Sequence, residues 1–394
     1  MRKKSPALLT SIFFMVSLLI LSALAGCGAG AAPGTPPTGQ TPAATTPAGT
    51  DTPATPDAPE TPPPAGAATV AFVDSAGREV EVPAQITRVS PSGALAQMFI
   101  QALAPDLLVS IAGDFSAAAE PYIAENLRQL PVVGQFYGTD NLNIEEIASI
   151  GPELVIDIGE PKSSIVEDMD SITDALAIPA VHITATLATT GDAFRALGEL
   201  LGREAAAERI AAFCDTAYAD ALAIMAQVGE DNKVPLLYLL GDGGLNVIAA
   251  TSFHAELIDL IADNIAKVDS PSSRGTGNEV DLEQLLLWDP EVIIFGPDSI
   301  YDTVAADTVW QQMKAIQNGA YYEIPLGPYN WMGIPPSVNR FLGMLWLPKL
   351  LYPEYANYDL YEKAAEYYKL FYDFDLSRDN YDQLTAKALP AGQR

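Results

Sequence analysis

The chain has 394 residues, 49% of them hydrophobic, with 21 basic against 50 acidic side chains and a net charge of −29. That balance excludes nucleic acid as a partner, because binding phosphate needs a basic face; it suits solubility or docking on a basic surface. Two cysteines give no disulfide framework, and two histidines supply few donors for direct capture of a bare transition metal.

In chain order, Arg2, Lys3 and Lys4 precede an apolar run from Ala7 to Leu24, and small residues then lead into Cys27. Charged, apolar, small is the order of an export signal. Leu24-Ala25-Gly26-Cys27 resembles the bacterial lipobox, in which the chain is cut before the cysteine and its sulfur is lipidated. The expectation is a signal peptide over residues 1–26 and a lipid anchor on Cys27, with the protein held outside the cytoplasm on the membrane. An uncleaved anchor is the alternative, since the run is about long enough to span. Cleavage leaves 18 basic and 50 acidic side chains, a net of −32. Residues 27–67 carry eleven prolines and no large apolar residue, so they are expected to be a disordered tether. At roughly 3 Å per residue its reach is on the order of 100 Å.

The remainder is long enough for two lobes. A first lobe over 68–188 is expected to hold strands at Ile86–Ser90, Leu107–Ile111, Leu154–Ile158 and Val181–Thr184. Its helices are expected near Ala94–Leu103, Ala118–Leu127, Ile144–Ile150 and Ser164–Leu176. A connector over 189–230 is Ala-rich, with a possible early break at Gly198 or Gly202 and one long helix from Glu204 to Val228. A second lobe over 231–350 is expected to hold strands at Pro235–Leu240, Leu245–Ala250, Val292–Phe295 and Tyr321–Ile324. Helices follow at Ala255–Ile261, Leu282–Trp288 and Thr308–Gln317. Residues 351–394 are rich in Tyr, Phe and Leu and read as packing helices.

An internal repeat supports the two-lobe reading. Asn143-Ile-Glu-Glu-Ile-Ala-Ser-Ile-Gly-Pro-Glu-Leu-Val-Ile-Asp157 returns as Asp281-Leu-Glu-Gln-Leu-Leu-Leu-Trp-Asp-Pro-Glu-Val-Ile-Ile-Phe295, offset by 138 residues without a gap. Asn143 and Asp281 sit where an N-cap belongs, with Glu146 and Gln284 completing a capping box. The apolar run after each proline reads as a strand covered on both faces of a parallel sheet. The expected fold is α/β: two similar lobes with mainly parallel sheets, joined by a long helix, with a cleft between them.

Asp74-Ser-Ala-Gly-Arg-Glu-Val-Glu-Val-Pro83 with Ile86-Thr-Arg-Val-Ser90, the repeat, Leu197-Gly-Glu-Leu-Leu-Gly-Arg-Glu204, and Tyr329-Asn-Trp331 with Pro335-Pro-Ser-Val-Asn-Arg340 together resemble the helical-backbone, class III solute-binding proteins of ABC importers. Their iron-complex branch is the nearest in pattern, and the likeness runs from about residue 70 to 385. The resemblance implies a ligand held between the lobes and delivered to a permease dimer with its ATPase subunits. It implies no enzyme activity and no cofactor, and a monomer is expected. The implied ligand is a metal chelate, a ferric siderophore or haem, with cobalamin or an oxyanion such as molybdate as alternatives.

In that family, acidic residues at the positions of Glu145 and Glu283 meet arginines on the permease; favourable first-turn placement against the helix dipole is the plainer role. Tyr137, in Gln135-Phe-Tyr-Gly138, could stack on a macrocycle or ligate iron as phenolate, or be an ordinary loop tyrosine. Ser92 and Gly93 end a strand and begin a helix, where backbone N–H groups could receive an anion. Glu160 ends the later, equivalent strand. Ser252 and His254 open a helix, Arg274 sits on a basic loop, and Asn330 with Trp331 offers a flat face. Arg274 or Arg340 could pair with a carboxylate on a chelate, although Arg340 falls inside a helix and suits a structural ion pair equally. His254 could ligate a metal or make a helix-start hydrogen bond. Gly-x-Ser-x-Gly, His-Glu-x-x-His and phosphate-loop motifs are all missing, which argues against an enzyme. A non-transport surface lipoprotein is the remaining alternative.

Overall fold

A computed structural model describes residues 68–297 and 299–393, which fall in one compact unit. The expected signal peptide, the Cys27 anchor and the tether lie outside the described residues. No helix among the described residues is long and apolar enough to cross a membrane.

An antiparallel hairpin, β1 (Thr69–Val73) with β2 (Glu79–Pro83), opens the fold. At its turn the Asp74 carboxylate accepts the N–H groups of Ala76 and Arg78, holds the Arg78 guanidinium at 2.6 Å, and accepts the backbone N–H of His182. These bonds tie the hairpin to the first lobe.

That lobe contains β3 (Val89–Pro91), α1 (Ala94–Leu103), α2 (Glu125–Arg128), α3 (Ile144–Ile150), β4 (Leu154–Gly159), α4 (Ile165–Leu176) and β5 (Ala180–Thr184). The strands form a parallel sheet in the order β3-β4-β5. Every residue of the central strand β4 is buried, which is why its sequence is a continuous run and not an alternation.

The connector is a helical hairpin of α5 (Thr190–Leu201) and α6 (Glu204–Val228). α5 passes through Gly198 and stops at Gly202, which takes the left-handed conformation. Gly198 is needed for close approach: a Cβ there would lie 2.4 Å from the Cβ of Ala207.

The second lobe contains β6 (Pro235–Leu240), β7 (Asn246–Val247), α7 (Glu256–Ile261), β8 (Asp263–Asn264), β9 (Asn278–Glu279), α8 (Leu282–Trp288), β10 (Val292–Phe295), α9 (Tyr301–Val304), α10 (Lys314–Gln317) and β11 (Tyr321–Glu323). The strand order is β11-β10-β6-β7-β9, with β8 also on β6. The β11-β10-β6 core is parallel, and β7 and β9 form an antiparallel edge. Three helices close the chain: α11 (Arg340–Leu351), α12 (Leu360–Tyr372) and α13 (Arg378–Leu384).

The repeat occupies matching places. β4 lies between β3 and β5, as β10 lies between β6 and β11. The Asn143 side chain accepts the Glu146 N–H at 3.1 Å, and Asp281 accepts that of Gln284 at 2.8 Å. One residue of each helix is driven into its lobe, Ile147 in α3 and Leu285 in α8.

Some expected elements are shorter. Leu107–Ile111 contributes only single parallel bridges, Val89 with Leu108 and Ile111 with Val132. Ala118–Leu127 is mostly turns before α2, and Thr308–Gln317 divides into a 3-10 turn at Trp310–Gln312 and α10. Pro121 supplies one reason: it cannot donate the N–H that a continuous helix needs at that point.

The main hydrophobic core is shared. One cluster runs from Val89, Phe99 and Ile156 of the first lobe through Phe194, Phe213 and Cys214 of the connector. It continues into Tyr238 and Ile258 of the second lobe and Trp346 and Phe371 of the closing helices. Smaller clusters fill the outer faces of each lobe. α12 returns to the first lobe, where Tyr368 packs on Tyr122 at 5.2 Å, and also meets the connector, where Phe371 packs on Phe194 at 5.9 Å. The lobes are therefore joined by a packed spine, not by α6 alone.

Candidate functional site

Ligands of open parallel α/β sheets bind outside the carboxyl ends of the strands. In the first lobe those ends carry Ser92-Gly93 after β3 and Glu160 after β4. Glu160 pairs with Lys162. In the second lobe, His254 opens the turn before α7, and Arg340 begins α11. Glu160 and Lys162 act electrostatically on His254, and Glu160 also acts on Arg340. Arg340 Nη1 reaches the Phe253 carbonyl at 3.4 Å, which sets it beside His254, and Glu160 lies within electrostatic range of both.

Arg340 is only 2% exposed. Its Nη1 donates to Glu256 Oε2 at 2.7 Å, and its guanidinium lies over the Phe253 ring at 4.8 Å. Burial pulls its pKa down while Glu256 opposes the shift. Its Nε is buried without a partner. Gly333, at φ +97°, wraps the preceding loop over this side chain; a Cβ there would lie 2.6 Å from Arg340 Cγ.

His254 is also buried, with Nδ1 unpartnered. Desolvation first, then the Arg340 charge, holds its pKa below the usual histidine range, so the imidazole is neutral at pH 7. Its Nε2 lies against Gly275. The loop leading to it is strained: Thr251, a β-branched residue, has φ +69°. The Asp259 carboxylate accepts its N–H at 2.7 Å. Strain of this kind concentrates at ligand-binding loops.

Glu256 was not singled out in the sequence. Its second oxygen accepts the Leu187 N–H at 3.1 Å, so one carboxylate joins Arg340 to the segment leaving β5. Nothing in the sequence around Glu256 distinguishes it from an ordinary first-turn acid.

The first-lobe wall differs from expectation. Ser92 is buried, and its hydroxyl donates to Asp157. Asp157 in turn meets His182 Nδ1 at 2.7 Å, and His182 Nε2 meets Thr184 at 3.2 Å. A carboxylate therefore already stands beside the start of α1, and Gln135 covers Gly93. This is no hydrolytic triad, because the serine is bonded to the acid and not to the histidine. Asp157 and His182 are direct partners in the β4–β5 register. Each interrupts an apolar strand, which was the available signal.

The other candidates differ in exposure and in the partners they already hold. The Tyr137 hydroxyl donates to Asp168 at 2.6 Å. Burial, this bond and nearby carboxylates push its pKa far up, which opposes a phenolate. Trp331 is 0% exposed within the shared core and offers no face to the cleft. Asn330 is buried too, with its amide donating to Tyr238 and its oxygen accepting the Met332 N–H. Ser252 turns its hydroxyl to the Ala249 carbonyl. Arg274 is exposed, and its side chain makes no ion pair among the described residues. Glu145 and Glu283 are exposed on matching helices, one per lobe. A groove of about 820 Å³ lined by α6 and α12 lies on the spine, away from the strand ends. No cluster of three metal-ligating side chains occurs among the described residues.

A family model described as periplasmic binding protein matches residues 99–326, more than half of the chain. The chain belongs to that family, in its helical-backbone class. An ABC transporter solute-binding protein from Sulfurospirillum deleyianum is similar at 27% identity and TM-score 0.75, over 80% of this chain and 99% of that one. The same fold occurs in a molybdate-bound periplasmic binding protein of Haemophilus influenzae, with 19% identity, TM-score 0.61, and 78% and 99% of the two chains covered. It occurs also in Helicobacter pylori CeuE in a nickel–histidine complex, with 16% identity, TM-score 0.59, and 80% and 99% covered. No curated protein matches by sequence. The family is one of extracytoplasmic transport proteins that bind a small molecule for an ABC permease and its ATPase; its members are not enzymes.

Proposed function

We propose that this protein captures a metal chelate with anionic groups, of the ferric siderophore class, and presents it to its permease. The observation that carries this reading is the placement of Arg340 against the Phe253-His254 turn, with a buried nitrogen lacking a partner on both Arg340 and His254 and Glu160 within electrostatic range of each. Donors of this kind suit oxygen-rich chelates, and a neutral imidazole adds a lone pair or an N–H. Burial of Trp331 removes a flat aromatic face for haem or cobalamin, and the Tyr137–Asp168 bond removes a phenolate for haem iron, so both weigh against these ligands. The Haemophilus protein is bound to molybdate and the Helicobacter protein to a nickel–histidine complex, on the same fold. The reading includes a lipid anchor on Cys27, a monomer, and docking through Glu145 and Glu283, one acidic residue per lobe on a two-subunit partner.

A thermal-shift screen of the mature chain tests the ligand, because a ligand that binds only the folded state raises the melting temperature. A rise with ferric siderophores that is lost in Lys162→Ala and His254→Ala supports the reading. A rise with haem alone, or with molybdate alone, overturns it. Replacing Glu145 and Glu283 together by Ala should leave that shift intact and abolish uptake; normal uptake sinks the docking assignment.

A further inference from the structure

The two repeat helices are alike in almost every respect. Each has seven residues, a side-chain N-cap, one fully buried anchor, and a residue in the left-handed conformation at its end. Each shows an exposed glutamate in its first turn. They differ one turn later on the same face. In α3 that place is held by Ser149, whose hydroxyl folds back on the Glu146 carbonyl at 3.0 Å. In α8 it is held by Leu287, which is 79% exposed, the highest value among the exposed large hydrophobic side chains of the described residues.

We infer that Leu287 is an apolar anchor by which the second lobe holds the importer's permease. The inference rests on the reading of Glu145 and Glu283 as docking residues. Residues four apart on a helix share one face, so Glu283 and Leu287 form a single acidic-and-apolar patch with no counterpart in the first lobe. Neither glutamate is held by an ion pair among the described residues, so both remain available to a cation. Charge at an interface steers and orients, whereas a buried apolar side chain near its centre carries affinity. The partner surface facing the second lobe is thereby specified by its chemistry: a basic side chain beside an apolar pocket.

The test measures binding of the full mature chain to the permease in lipid nanodiscs, with melting temperature and sedimentation recorded for every variant. Leu287→Ser should weaken binding about tenfold, the equivalent of burying one leucine, with melting unchanged. Ser149→Leu should not strengthen binding to a comparable extent. If Leu287→Ser binds normally while Glu145→Ala and Glu283→Ala bind weakly, the glutamate docking stands and the Leu287 anchor is overturned. Normal binding by all three variants overturns the docking reading and this inference with it. A wild-type dimer that Leu287→Ser dissolves would assign the patch to a second copy of the chain and overturn the inference.

Discussion

Arg340 shows how a charge is held inside a packed interior. Its charge is buried and kept there by Glu256, so removal of that partner leaves an uncompensated cation in the core. Glu256→Ala should cost about 3 kcal/mol in urea unfolding, the usual scale for breaking a buried pair; a loss below about 1 kcal/mol would show that the cleft solvates Arg340 well. His254 gives a pH dependence of known sign. Its folded pKa is depressed, chiefly by desolvation and then by Arg340, so below about pH 6.5 the unfolded chain binds the proton more readily. Its contribution is full above that pH and declines as the pH falls toward the folded value. His254→Gln should flatten stability between pH 7 and 5, and an unchanged slope would refute this. The sequence marked His254 and Glu160 by their places at a helix start and a strand end, and Arg340 as a cation able to pair with a carboxylate. It could not separate Trp331 from them, since an aromatic beside proline and asparagine suits a cleft wall and a core equally.

Repeated local signals made the elements legible. α1, α3, α6, α8, β6 and β10 have the bounds expected from capping, proline and apolar runs. Elements with weak boundaries were less legible: the Ala-rich stretch before α2 has high helix propensity but makes turns, because tertiary packing overrides so weak a preference. The α5–α6 hairpin depends on a close contact that sequence shows only as a glycine. Gly198→Ala would force its Cβ against Ala207 and should cost about 1–3 kcal/mol, seen as a lower melting temperature. A neutral outcome would mean that the two helices can separate without loss.

The shared core sets the behaviour of the whole molecule. The lobes are bound by the connector hairpin, by α11 and α12, and by direct bonds such as Ser337 to the Leu95 carbonyl and Tyr329 to Gln101. Closure on a ligand therefore means small adjustments within a packed interior, which deforms little. Small-angle scattering should give nearly the same radius of gyration with and without a ferric chelate at saturation; a contraction of several per cent would show a true hinge.

By itself the sequence determined the class of fold, the duplication and the positions of most elements, because capping, burial pattern and repeat spacing are local properties written along the chain. It also supplied the acidic pair on matching helices, since equivalent residues in a repeat take equivalent places. Only the tertiary structure decided which polar residues face one another. The link between Arg340 and Glu256, the Ser92–Asp157–His182 chain and the burial of Trp331 join segments far apart in sequence. Their contacts depend on how strands and helices pack, and no local pattern encodes that.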